Sequence, residues 1–279
     1  MCIEAPPRNS EPRPYTGPRY TPKASSAYLR HADAFEVDFR ASKQIGLGCS
    51  FESGPIDKFM TEWTLTLTYD PNRYGNGPMF SDSATQPVSA GTMRVYMFKY
   101  NTTLCWLGDE PNDQYTRNFL ETTDDVSDSL SHFGKFYFKL MRSDACHFGH
   151  IGTEYDFQSD ITCGDILLVD KIHIKEEFRG LGLSLFMLDI ADSTLNGNMS
   201  TMMLKPDPVC DDVTGYGEAK EKLIRHFSMI GLQPMTLPAY RETQDSSNLY
   251  LGRWNGGRHP DILNVCPHLF PQLIAPTEF

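Results

Sequence analysis

The spacing of hydrophobic and polar residues changes several times along the chain, and each change marks an element. Three stretches are β-rich: Ala34-Phe-Glu-Val-Asp-Phe-Arg40, Trp63-Thr-Leu-Thr-Leu-Thr-Tyr69 with strict alternation of period two, and Thr92-Met-Arg-Val-Tyr-Met-Phe-Lys-Tyr100. That is the pattern of strands with one face against a core. Asp70 to Pro78 is rich in turn residues and predicts a connection. From Leu120 to Phe138 apolar residues recur at mixed three- and four-residue steps, which predicts one polar helix. Ile166 to Ile174 is a continuous apolar, β-branched run bounded by Gly164 and a charged turn, so it predicts a strand inside a sheet. From Leu183 the period lengthens, with Leu183, Phe186, Met187, Ile190 and Ala191 on one helical stripe. Ser200 to Lys205 predicts a short strand ended by Pro206 and Pro208. Glu218 to Met229 predicts a helix with Ala219, Leu223, Phe227 and Ile230 on its apolar side, stopping at Gly231. Leu249 to Trp254 predicts a last strand, and Cys266 to Pro271 an irregular closing segment.

The most informative junction lies between the Ile166–Ile174 strand and the helix from Leu183. It reads Arg179-Gly-Leu-Gly-Leu-Ser184. A turn with little side-chain bulk that opens a helix directs several unpaired backbone N–H groups at one point, where the helix dipole adds partial positive charge, and so suits a phosphate. With its flanking strand and helix, the segment resembles the central motif of the GNAT superfamily of acetyl-CoA-dependent N-acetyltransferases. That motif has Arg or Gln, two residues, Gly, one residue, then Gly or Ala, five residues after a strand-ending aliphatic. Arg179, Gly182 and Ser184 fill the slots and Ile174 the aliphatic position; Ser184 departs from the pattern but stays small. Phe227-Ser-Met-Ile-Gly231-Leu232 resembles the family's Tyr-x-x-x-Gly-Phe helix end, with Phe227 in place of a Tyr whose hydroxyl is proposed to protonate the leaving thiolate. The resemblance spans residues 164–232.

The resemblance implies an α/β fold with a mixed, splayed central sheet flanked by helices, here with an enlarged N-terminal part. It implies acetyl-CoA as co-substrate, an amine acceptor and no metal. Arg179, Gly180, Leu181, Gly182, Leu183 and Ser184 would hold the diphosphate. The backbone of Ile172, His173 and Ile174 would meet the pantetheine arm and acetyl group, with Phe227 beside the thiol. The His173 ring itself is expected on the opposite face. An attacking amine must be neutral, so a base or a water chain removes its proton; Asp170, Asp165 and His226 are the candidates for that role. The implied activity is transfer of an acetyl group to an amine. A GNAT-like protein that binds an acyl-CoA or a partner without turnover is the alternative, suggested by the missing hydroxyl at Phe227.

Composition narrows the remaining classes. A chain of 279 residues, 40% hydrophobic and 12% aromatic, can bury a full core as one domain over residues 28–279. Residues 1–27 hold six prolines and few aliphatics, and read as a flexible or extended tail. The net charge of −11 includes +2 from that tail, leaving −13 on the body. This disfavours nucleic acid, and suits a cationic acceptor or solubility alone. No apolar run approaches the roughly 20 residues that span a bilayer, no signal-peptide core is present, and seven scattered cysteines suit a reducing compartment; a cytoplasmic or nuclear location is expected, without membrane association. Cys146-His147-Phe-Gly-His150 gathers three possible ligands but lacks a second pair at zinc spacing. Hydrolase, nucleotidase and metalloprotease motifs are absent.

Overall fold

The computed structural model describes residues 17–21, 32–47, 56–73, 86–99, 113–142, 165–195, 200–208, 215–235, 249–254 and 260–270. These hold strands β1 (Phe35–Leu47), β2 (Ile56–Tyr69) and β3 (Val88–Phe98), helices α1 (Asp113–Val126) and α2 (Asp128–Arg142), then β4 (Asp165–Ile174), α3 (Leu183–Leu195), β5 (Ser200–Leu204), α4 (Tyr216–Ser228), β6 (Gln233–Met235), β7 (Tyr250–Trp254) and the short α5 (Ile262–Val265). The strands form one seven-stranded mixed sheet in the order β1-β2-β3-β4-β5-β7-β6. Neighbours are antiparallel except β4 and β5, which run parallel with α3 as the crossover. The fold is therefore α/β, a mixed sheet flanked by helices.

Alternation along the strands sorts the core into two faces. Leu65, Leu67, Met93, Val95, Leu167, Val169, Met202, Leu204 and Leu251 pack in one cluster with Leu183, Phe186, Met187 and Ala191 of α3 and Phe227 of α4. On the other face, Phe98 and Tyr250 meet α2: Phe98 and Phe133 lie 5.3 Å apart, Phe133 and Tyr250 5.9 Å, and Phe136 and Tyr250 4.5 Å. Those spacings lie in the range of favourable aromatic pairs. Buried Arg253 on β7 ties the layers together, pairing with Asp192 of α3 and donating to the Ile230 carbonyl at 2.7 Å.

Two elements differ from the sequence pattern. The single helix expected over Leu120–Phe138 is two helices broken at Ser127, because the Ser127 hydroxyl accepts from Leu130 N (3.3 Å) and its carbonyl from Ser131 N (2.9 Å), starting a new helix. The short α5, which no periodicity marked, lies just before the Cys266–Pro271 closing segment, and its N-cap Asp261 accepts from Leu263 N at 2.9 Å. The Cys146–His150 cluster lies outside the described residues. No helix among the described residues is long and apolar enough to cross a membrane.

Candidate functional site

The central feature is a parting of two strands. β4 and β5 are paired from Asp165 and Ser200 to Val169 and Leu204. Beyond that point β4 continues against β3, with Lys171 opposite Arg94 and Ile174 opposite Gly91, while β5 runs out at Leu204. Pro206, two residues on, has no N–H to extend the ladder. Among the described residues, no strand pairs with the backbone on that edge of β4 beyond Val169. The gap is a cavity of about 360 Å³ bordered by Val169 to Ile172, Leu204 to Asp207, Ser129 and His132 of α2, Leu223 and Phe227 of α4, and Tyr250. Residues from both faces of the sheet border it.

A bulge sets which side chains face it. Arg94 pairs with Lys171 but Val95 with Val169, so Asp170 is the extra residue. A bulge of this kind re-aims side chains. It allows Val169 and Ile172 both to lie on the α3 side, while Asp170 turns toward α2. There Arg94 Nε donates to Asp170 Oδ2 at 2.6 Å, a second guanidinium nitrogen contacts the same oxygen, and Ser129 Oγ donates to Oδ1 at 2.5 Å. The Asp170 side chain is only 4% exposed. Across the cavity Asp207 is paired with Lys205 at 2.8 Å and accepts from the Tyr216 hydroxyl at 2.5 Å. That hydrogen bond, with burial, pushes the Tyr216 phenol up to about 12. Burial, together with the negative charges of Asp207 and Asp170, raises the Tyr250 phenol so that it stays protonated.

The glycine turn lies at the end of the same strand. Lys175 N donates to the Ala90 carbonyl at 2.9 Å, and Phe178 is buried against Phe35 and Tyr69, anchoring the chain as it leaves the sheet. Arg179 folds back, its Nε donating to the Ile174 carbonyl at 2.9 Å. Gly180 and Gly182 have φ of 84° and 79°, which L side chains rarely adopt. A Cβ at Gly182 would lie 2.8 Å from the Cys266 sulfur. The turn is roofed. The Tyr20 ring lies over Gly182, 5.8 Å from the His226 ring and 5.7 Å from that of His268. Burial raises the Tyr20 phenol, partly offset by the Gly182 backbone N–H that faces it. His268 Nε2 donates to the Leu181 carbonyl at 2.8 Å, and Ser184 Oγ and His226 Nε2 share a hydrogen bond at 2.8 Å. Burial lowers His226 to about 4, leaving it neutral at pH 7.

The residues singled out by sequence are thus divided. Asp170 and Ile172 border the gap, Phe227 closes it on the α4 side, and Arg179 to Ser184 form the turn beside it. Ile174 packs on the α3-side core and His173 is exposed. Asp165 sits at the start of β4, paired with Lys99 at 2.7 Å and away from the gap. His226 is next to Phe227 in sequence but faces Ser184 and Tyr20. Sequence reasoning missed Arg94, Ser129, Asp207 and Tyr250 as cavity neighbours and Tyr20 as the cover of the turn. No group of three or more possible metal ligands occurs among the described residues. No family model matches this chain, and neither does any curated protein or solved structure.

Proposed function

We propose that the chain is an N-acetyltransferase of the GNAT kind, moving an acetyl group from acetyl-CoA to an amine. The observation that carries this reading is the parting of β4 and β5 after Val169 and Leu204, beside a glycine turn that opens α3. A thioester lying in such a gap can pair with the β4 backbone beyond Val169, much as an added strand would. Ile172, Ile174 and the intervening backbone would hold the pantetheine arm. The Arg179–Ser184 turn would hold the diphosphate, and the acetyl carbon would face the mouth lined by Ser129, His132 and Tyr250.

In the reaction the amine nitrogen forms a bond to the acetyl carbon, the carbon–sulfur bond breaks, one amine proton leaves, and the thiolate gains a proton. Of the three base candidates only Asp170 borders the gap, and both its carboxylate oxygens are already engaged, Oδ2 by Arg94 and Oδ1 by Ser129. In this reading Asp170 positions Ser129 and Arg94, and water takes the amine proton. Phe227 offers no proton, whereas the Tyr250 phenol stands protonated in the same cavity and can donate a hydrogen bond to the departing sulfur. The occupied Asp170 and the hydroxyl missing at Phe227 also favour a second reading, an acyl-CoA-binding protein without turnover. Titration with acetyl-CoA, followed by thiol release over a panel of amines, tests both. Binding with thiol release supports the transferase, binding without release the second reading, and absence of binding sinks both.

A further inference from the structure

The Arg179–Ser184 turn is covered at its middle, over Gly182, by a residue far away in sequence. Tyr20 N donates to the Val265 carbonyl at 2.8 Å, which seats its half-buried ring on Gly182 between the rings of His226 and His268. A Cβ built on Gly182 would be 3.5 Å from the Tyr20 ring, an ordinary van der Waals distance, so ring and turn are packed against each other. The Gly182 N–H, one of the donors a phosphate would use, faces the phenol instead. Gly17, Pro18, Arg19 and Thr21 on either side of Tyr20 are exposed. The cover is therefore one ring on a thin strap.

We infer that residues 17–21 are a removable cover, with Tyr20 as its plug, which must leave the Gly182 turn before a diphosphate can occupy it. The inference rests on the acyl-CoA reading above and adds regulation of that same site. A cover closed nine-tenths of the time weakens apparent affinity about tenfold, because only the open fraction binds. Anything that holds residues 17–21 elsewhere would then turn the protein on, by raising its apparent affinity for the donor.

The test compares coenzyme A binding by the full chain and by its Tyr20→Ala variant in a calorimeter. The expected result is binding by both, about tenfold tighter in the variant. Equal affinity, or weaker binding by the variant, would overturn the cover while leaving the acyl-CoA reading intact; absence of binding by both would overturn that reading and the cover with it. A second measurement needs no substitution. Trypsin cleavage after Arg19 in the native chain should quicken when coenzyme A is added, since the ligand displaces the strap, and an unchanged or slower rate would refute the displacement.

Discussion

His226 offers a test of the packing around the glycine turn that does not depend on any activity. Its side chain is partly buried, hydrogen-bonded to Ser184 and flanked by Tyr20, and desolvation lowers it from 6.5 to about 4. The unfolded chain binds this proton near pH 6.5, whereas the folded chain holds it off until about pH 4. Between those values the unfolded state carries more protons, so stability rises with pH and is lost as pH falls through the window. A shift of about 2.5 units at ~1.4 kcal/mol each is worth ~3 kcal/mol. His226→Gln keeps a side-chain acceptor for Ser184 but cannot titrate. Urea unfolding of both proteins from pH 7.5 to 4 should therefore show the stability of wild type, relative to the variant, falling by ~3 kcal/mol as pH drops, with most of the change below pH 6.5. A difference that stays constant across the range would mean that His226 is solvated in the folded state, and that Tyr20 and α3 do not close over it.

Other outcomes follow from the same structure. Asp189 on α3 is raised to about 6, chiefly by burial, with Asp192 and Asp261 adding to the shift and Arg253 opposing it; its effect has the opposite sign, stability being lost as pH rises from 3.8 to 6, so Asp189→Asn should stabilise the protein at pH 7 by ~2–3 kcal/mol and have little effect below pH 4, as urea unfolding at the two pH values can check. Asp170→Asn should lower kcat by less than the roughly 10²-fold expected for loss of a general base, leaving acetyl-CoA affinity unchanged in calorimetry. A larger fall in steady-state assays would restore Asp170 as the base. Tyr250→Phe should lower kcat by about 10²-fold with acetyl-CoA, and much less with an acetyl thioester of a more acidic thiol, which leaves without a proton; an equal loss with both donors would reduce Tyr250 to a packing role.

The readily legible parts of the fold were those written in local periodicity. The β4 strand, the helix from Leu183 and the Leu204 strand end with its nearby Pro206 lie within a residue or two of expectation, because each is marked by a change of period or by a proline. The break at Ser127 was hidden because apolar steps of three and four continue across it, while the cap that makes it is a single side-chain hydrogen bond. β1 extends to Leu47 through two register shifts, after Ala41 and after Ile45, which disturb the alternation that marks a strand. The site was half legible. Asp170 could be placed within a buried strand, but its partners Arg94 and Ser129 lie 76 and 41 residues away and meet it through register and a bulge. A proline-rich leader carries no periodicity at all, so nothing in its pattern foretold that Tyr20 would sit on the glycine turn.

The central claim is that the parted strands hold an acetylated thiol cofactor, and one measurement bears on it most directly. Acetyl-CoA is titrated into the full chain in a calorimeter, beside a Leu223→Trp variant in which added bulk fills the gap from the α4 side. The account predicts one saturable site per chain in wild type, a matching rise in unfolding free energy of ~2.7 kcal/mol at a hundredfold excess over Kd, and loss of both in a folded Leu223→Trp protein. Absence of heat and of stabilisation at millimolar acetyl-CoA, or equal binding by the filled variant, would contradict it.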